Sequence, residues 1–311
     1  MSTLATRQFT APSTTADRLM MVWDRIKGPF FYAVLVSWAV IALLPFYFSL
    51  VFAFKPVPNS YDPPLFWPIP FTLENFRTVV QSFDLFPRWL LNSAVVSIGV
   101  TVMRTLFAAM GGYAFARMEF PGKNMLFIAM LITMMIPAQV VMLPKFIIIG
   151  PGIIRDLRIA GVHIPTGFRL LDSLAGVMLH DLVTAFAVFM MTQYFKSIPK
   201  ELEEAAMIDG LGRFGIFFRI ILPISQTHLL TLALLTFQGV WNEFLMPLLI
   251  LRTPENFTLP IGLLWFKNEY YTLYSIVLAG SLFNTLPIVI LFFLFQRYFV
   301  QGIAATGLKD I

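Results

Sequence analysis

The chain contains no cysteine, which excludes disulfides, thiolate nucleophiles and Cys-ligated metals. Histidine is nearly as scarce. His163, His180 and His228 lie far apart, and none falls in an H-E-x-x-H spacing, which removes the common zinc-hydrolase pattern. Charge is short as well, at 13% of the 311 residues where about 25% is ordinary for a soluble domain. No G-x-x-x-x-G-K-[ST] occurs, so nothing here can cradle the phosphates of ATP in a P-loop. Residues 1–29 are polar and Ser/Thr-rich, with Arg7, Arg18, Arg25 and Lys27. They have no apolar run before a small-residue cleavage site, and so read as a cytoplasmic tail rather than a signal peptide.

What the chain has in excess is apolar length. Hydrophobic residues make up 58% of it, against about 45–50% in soluble domains. Phe alone supplies 33 residues, and mean hydropathy is +0.77. One soluble core of this size cannot bury so much apolar surface, so lipid has to solvate much of it. The formal net charge of +5 then reads as basic flanks of membrane spans, not as a nucleic-acid surface.

A span needs about 20 mostly apolar residues. Six stretches qualify, at about 30–54, 90–116, 125–143, 174–194, 229–251 and 274–299. Each is continuous, whereas strands of a membrane barrel alternate in units of about ten residues. The expected fold is an all-α integral membrane protein with six transmembrane helices. Four basic residues precede the first stretch, while Lys55 alone follows it closely, so the amino terminus is placed in the cytoplasm. Six spans return the carboxyl terminus to that side. Twelve Lys/Arg then fall on the cytoplasmic side and nine on the other, so the first flank carries the assignment. Residues 30–301 form one membrane domain between the tail at 1–29 and a cytoplasmic tail at 302–311. Two external segments exceed simple turns. Residues 55–89 are broken by Pro56, Pro58, Pro63, Pro64, Pro68 and Pro70, and residues 144–173 carry the turn signals Gly150-Pro151-Gly152 and Ile164-Pro165-Thr166-Gly167.

The loop at about 195–226, between the fourth and fifth stretches, is amphipathic. Pro199 suits a first helical position, and Glu201, Glu203 and Glu204 crowd the positive end of the helix dipole. Leu202, Ala205, Ala206 and Ile208 supply a small apolar face. Gly210 is placed to end the helix with a positive φ. A second amphipathic helix, apolar at Phe214, Phe217, Phe218, Ile221 and Leu222, leads to Pro223. Two readings stand: an interfacial helix pair that connects two spans, or a protrusion that docks a partner protein. The small Ala205-Ala206 pair beside several acids suits a protein surface better than anionic lipid.

Glu204-Ala205-Ala206, three residues, Gly210, nine residues, Ile220, one residue and Leu222-Pro223 is similar to the EAA loop of binding-protein-dependent ABC importer permeases. Asp209 fits the Glu-Ala-Ala-x-x-Asp-Gly form of that family. Other segments resemble its carbohydrate-uptake, maltose-permease-like branch. These are Tyr113-Ala-Phe-Ala-Arg117 with Phe120-Pro-Gly122-Lys123, Trp241-Asn242-Glu243-Phe244 with Pro247, Thr258-Leu259-Pro260, and Gln296 through Gly302. The likeness runs from about residue 30 to the end and departs at about 150–166, where the external loop is longer than usual. It implies a multi-pass subunit of a prokaryotic inner membrane that imports a sugar, oligosaccharide or polyol. The implied partners are a second, related permease subunit, two copies of a cytoplasmic ABC ATPase, and an extracytoplasmic solute-binding protein. No cofactor is implied for this chain; ATP and Mg belong to the ATPase. Glu204 would be the charged contact to the ATPase, Ala205 and Ala206 the close-approach surface, and Gly210 the turn.

Polar residues inside the spans are the remaining candidates, because an ionisable group at membrane depth faces protein or water. Arg104 would pair with an acid on another helix or complement an anionic solute such as a glycerol phosphate. His180-Asp181 would make a helix-interface hydrogen bond or touch substrate. Gln238, Trp241, Asn242 and Glu243, placed mid-span in the fifth stretch, offer the amides, carboxylate and aromatic face that sugar hydroxyls need, or else lock helix packing. The stripe Ala108, Gly112, Ala116 suits close helix contact. A secondary transporter would need internal repeats and midplane ion sites, and an embedded enzyme a nucleophile or metal constellation; neither pattern is present.

Overall fold

A computed structural model describes residues 15–56, 67–68, 70–81, 84–149, 158–159, 162–163, 170–266 and 274–307. The expected turns at 150–152 and 164–167, and Pro58, Pro63 and Pro64, lie outside the described residues. Apart from a two-residue antiparallel ladder, Arg158–Ile159 with Val162–His163, the regular structure among the described residues is helical.

Helix α1 (Thr15–Ala53) begins well before the first apolar stretch and tolerates Pro29 and Pro45. From Phe30 to Phe46 its apolar side chains stand exposed, with Trp38 at 71%, as lipid-facing residues do. The short α2 (Glu74–Gln81) follows, then α3 (Phe86–Arg117), an unbroken helix of 32 residues. Helices α4 (Lys123–Thr133) and α5 (Ala138–Ile149), then α6 (Leu174–Leu179) and α7 (Ala185–Ser197), come next. The amphipathic loop forms α8 (Glu201–Ile208), α9 (Arg213–Ile216), a π turn (Phe217–Ile221) and α10 (Leu222–Ile224). Then come α11 (Gln226–Trp241), α12 (Leu245–Ile250), α13 (Leu259–Gly262) and α14 (Tyr274–Gly307).

Three helices are long and apolar enough to cross a membrane, Gly28–Ala53, Phe86–Arg117 and Tyr274–Gln296, or five spans if two bent pairs are each taken as one. Three of the expected continuous stretches are therefore interrupted. The third bends by 105° between α4 and α5, where Pro137 keeps its predecessor out of the helical region and starts a new helix. The fourth breaks at 180–184, and Thr184 restarts it by accepting a hydrogen bond from the Ala187 N–H at 3.3 Å. The fifth ends at Trp241 and resumes at Leu245. There Pro247 would drive its ring into the carbonyl of Glu243 if the helix ran on. Gln238 to Glu243 thus sit at the end of α11 and the break that follows it, not within a continuous helix.

Two apolar clusters are strung along α3. One gathers Phe86, Trp89, Val96 and Val100 with Trp241, Ile250 and Leu259; the other gathers Ala108, Ala109 and Tyr113 with Met191, Phe195, Ile216 and Ile221. Helices α7 and α11 pack against α3, and α14 lies along α1. Beyond the first cluster, Asp172 clasps the segment after α12. Its carboxylate accepts from the N–H groups of Arg252 and Thr253 at 2.8 and 2.9 Å and from the Thr253 hydroxyl. Burial alone would raise this carboxyl, but the donated hydrogen bonds outweigh it and hold it down at about 2. The clasp therefore contributes above the ordinary carboxylate range and is lost as pH falls through about 2.

The small-residue stripe brings α3 against α7: a Cβ on Gly112 would lie 2.7 Å from Met191 Cβ. Gly112→Ala is expected to cost about 1–3 kcal/mol by overpacking. Gly28→Ala, with nothing within 4 Å, should be neutral or stabilising. Thermal unfolding of the detergent-solubilised protein checks this, and equal melting temperatures for the two variants would contradict it.

Candidate functional site

The loop at 195–226 is built by local rules. Helix α8 ends in a Schellman arrangement: Leu211 N–H reaches the Ala206 carbonyl at 2.9 Å and Gly210 N–H the Met207 carbonyl at 3.0 Å, with Gly210 at φ +85°. The following helix loosens into the π turn, where Leu222 N–H reaches back to the Phe217 carbonyl. Pro223 accounts for it, since its ring would clash with the Arg219 carbonyl in a regular helix. The helix 213–224 then meets α11 at 78°.

Placement separates residues that spacing alone grouped together. Glu204, Ala205, Asp209, Gly210 and Pro223 are exposed. Ala206 is buried among Phe195, Ile216 and Phe217, so of the alanine pair only Ala205 stands on the outer face. Ile220 and Leu222 pack on the same cluster. The expected apolar face of α8 is not turned inward: Ile208 is 86% exposed, and Met207 and Leu202 are exposed too. With Phe214 at 76% and Phe218, these side chains give the loop an outward apolar surface beside Glu204.

A residue the motif reading passed over lies inward. Glu203 is buried, with Oε1 2.9 Å from Arg117 Nε as an ion pair without hydrogen-bond alignment. Tyr113 OH donates to Oε2 at 3.2 Å, and Arg213 Nη1 lies 3.6 Å from it. The sequence signal was available in the Tyr113…Arg117 spacing, which puts both on one face of α3.

The second constellation lies between the two apolar clusters. Arg104 is buried; its Nε donates to the Asp181 main-chain carbonyl at 2.9 Å, and Nη2 pairs with the Asp181 carboxylate. His180 places Nδ1 against the Val177 carbonyl and Nε2 3.0 Å from Glu243 Oε1. Both ring nitrogens face acceptors, so the ring bridges the end of α6 and the Glu243 carboxylate. His180, Asp181 and Glu243 bring ligand atoms within 4.8 Å of one another, a spacing a cation could use. Both acids are already engaged, by Arg104 and by His180, and a cation would have to displace them.

Beside this layer is a cavity of about 440 Å³ lined by His180, Asp181, Asn242 and Glu243, together with Gln139, Lys145 and apolar residues of α5 and α12. Trp241 is buried instead; its Nε1 donates to the Asn284 carbonyl at 2.9 Å and its ring stacks on Phe237. It offers the cavity no aromatic platform. Gln238 lies outside the lining, its carbonyl accepting from Asn242 Nδ2 at 3.0 Å. Arg104 is held against Asp181 and is not among the residues that line the cavity.

The chain belongs to the family of binding-protein-dependent transport system inner membrane components, whose model matches residues 105–305. It is thus a permease subunit and not an enzyme. The chain is 38% identical over 274 residues to the arabinooligosaccharides transport system permease protein AraQ of Halalkalibacterium halodurans, covering 87% of this chain and 92% of that protein. It is 30% identical to the trehalose/maltose transport system permease protein MalG of Thermococcus litoralis, covering 87% and 93%. It shares the fold of a bacterial ABC transporter for alginate import, with a TM-score of 0.74 at 23% identity over 93% of this chain and 100% of that one.

Breaking the Arg104–Asp181 pair on one side, as in Asp181→Ala, should cost about 3–5 kcal/mol, while Arg104→Met with Asp181→Leu together should be near neutral. Thermal unfolding of the solubilised protein decides. A single variant no worse than the double would mean the pair is not buried as described.

Proposed function

We propose that this chain forms half of the translocation pathway of an ATP-driven importer for a sugar, oligosaccharide or polyol, delivered by an extracytoplasmic binding protein. The observation that carries the reading is the loop: a Schellman-terminated helix with Glu204 and Ala205 outward, flanked by exposed Met207, Ile208, Phe214 and Phe218. Such a surface suits the groove of a cytoplasmic ATPase, which holds ATP and Mg²⁺ while this chain binds neither. The carbohydrate assignment is supported by the names of its relatives and by the amides of Asn242 and Gln139 in the cavity. Six spans, with α4–α5, α6–α7 and α11–α12 each making one crossing, keep both termini and the loop on the cytoplasmic side. In this arrangement 1–29 and 302–311 are cytoplasmic tails.

A single coupling loop requires a second permease subunit, since a pair of ATPases presents two grooves. Robust uptake by this chain and an ATPase alone would contradict that pairing. Uptake of labelled arabinotriose, maltose and trehalose into liposomes carrying the whole importer identifies the solute.

Glu204→Lys puts a cation at the positive end of a short helix and reverses an interface charge, which costs several kcal/mol when it sets like charges together. Gly210→Val places a β-branched residue at φ +85°, where conformation and not space is the obstacle. Both variants are expected to reach the membrane, retain less ATPase on purification and lose ATP-driven uptake. Near-normal coupled transport in both would return the loop to a plain interfacial connector.

A further inference from the structure

We propose that Glu203 and Arg117 are positioning residues for energy coupling: their buried ion pair clamps α8 to the end of α3, so that displacement of the loop is carried into the membrane part of the chain. This rests on the coupling-loop reading above.

The two neighbouring glutamates face opposite ways. Glu204 is exposed, while the Glu203 side chain is 5% exposed and that of Arg117 4%. Helix α8 has only eight residues, and of these only Glu203 and Ala206 are buried. One methyl group cannot hold a helix whose other apolar residues face outward, so the carboxylate is what seats it. It does so from three directions. Tyr113 and Arg117, one turn apart on α3, approach from one side; Arg213 approaches from the helix after Gly210. Arg117 also donates to the Ile198 carbonyl, just before Pro199, and so grips the strand of chain that enters α8.

An apolar pair would seat α8 equally well for stability alone. What the ion pair adds is direction, because a carboxylate that accepts from Tyr113 and lies against the guanidinium groups of Arg117 and Arg213 cannot slide or roll without losing those contacts. The element it grips is suited to transmission. Helix α3 is unbroken, about 48 Å long at 1.5 Å per residue, and carries Arg104 of the charged layer beside the cavity.

The test uses the whole importer in liposomes: this chain, its second permease subunit, the ATPase and the binding protein. ATPase retention, ATP hydrolysis and uptake of the labelled oligosaccharide identified by the panel above are read separately. Glu203→Gln keeps the shape of the side chain and removes its charge. Glu203→Leu with Arg117→Met removes the pair and leaves no buried charge unpaired, Arg213 being half-exposed, so it decides the matter if the single variant does not assemble. Both are expected to retain the ATPase and hydrolyse ATP, with uptake per ATP reduced about tenfold. A purely structural pair would lower the amount of complex without changing that ratio. Wild-type uptake per ATP in an assembled variant overturns the clamp. Glu204→Lys in the same assay separates the two ideas. If it sheds the ATPase while Glu203→Gln keeps a wild-type ratio, the clamp alone falls; if Glu204→Lys keeps full coupled transport, the coupling-loop reading falls and takes the clamp with it.

Discussion

A charge buried in a low-dielectric interior has to be paired, and α3 carries two guanidinium groups under that constraint. Arg104 draws in the chain at Asp181, and Arg117 draws in Glu203 and the Ile198 carbonyl. The far end of the same helix follows the neutral version of the rule. Trp89 donates to the Pro254 carbonyl at 2.7 Å, Asn92 to the Phe257 carbonyl at 2.9 Å, and Ser93 accepts from Leu259 N–H at 2.7 Å. One straight helix thus holds three separate irregular segments at fixed heights. The segments break because their free backbone groups find partners on α3, which is the condition for irregular backbone at membrane depth.

The shape of the loop at 195–226 was legible because its information is local. Pro199 stands just before the helix, ahead of Lys200, and not at its first position; the acids in the first turn, Gly210 just past the end and Pro223 beyond it each act through their own backbone, and the turn at Gly210 follows from them. The broken spans were not legible from hydropathy, which weighs composition and ignores caps. Residues 180–184 and 242–244 average as apolar with their neighbours, yet Thr184 is a cap and Pro247 lies in the first turn of a new helix. Pro137 carried the same message in the third stretch.

Tertiary direction lay beyond spacing altogether. Glu203 and Glu204 differ by one position, about 100° around a helix; which of them turns inward depends on where Tyr113 and Arg117 happen to stand. The same limit applied to Trp241. Its neighbourhood suggested a sugar platform, but its N–H is taken by the Asn284 carbonyl and its face by Phe237. The cavity is lined by the polar and charged groups of Asn242, Glu243, His180 and Asp181, with Gln139 and Lys145 from α5, and by apolar residues that include Met142, Phe244 and Met246.

The natural absence of cysteine makes the central claim directly measurable. Ala205→Cys introduces the chain's sole thiol on the outward face of α8, where a maleimide-benzophenone label can be attached in the assembled importer. On irradiation the account predicts a cross-link to the ATPase subunit whose yield changes when ATP is bound, and none from the same label at Trp38→Cys on lipid-facing α1. Cross-linking from position 205 to lipid alone, with or without ATP, would contradict it.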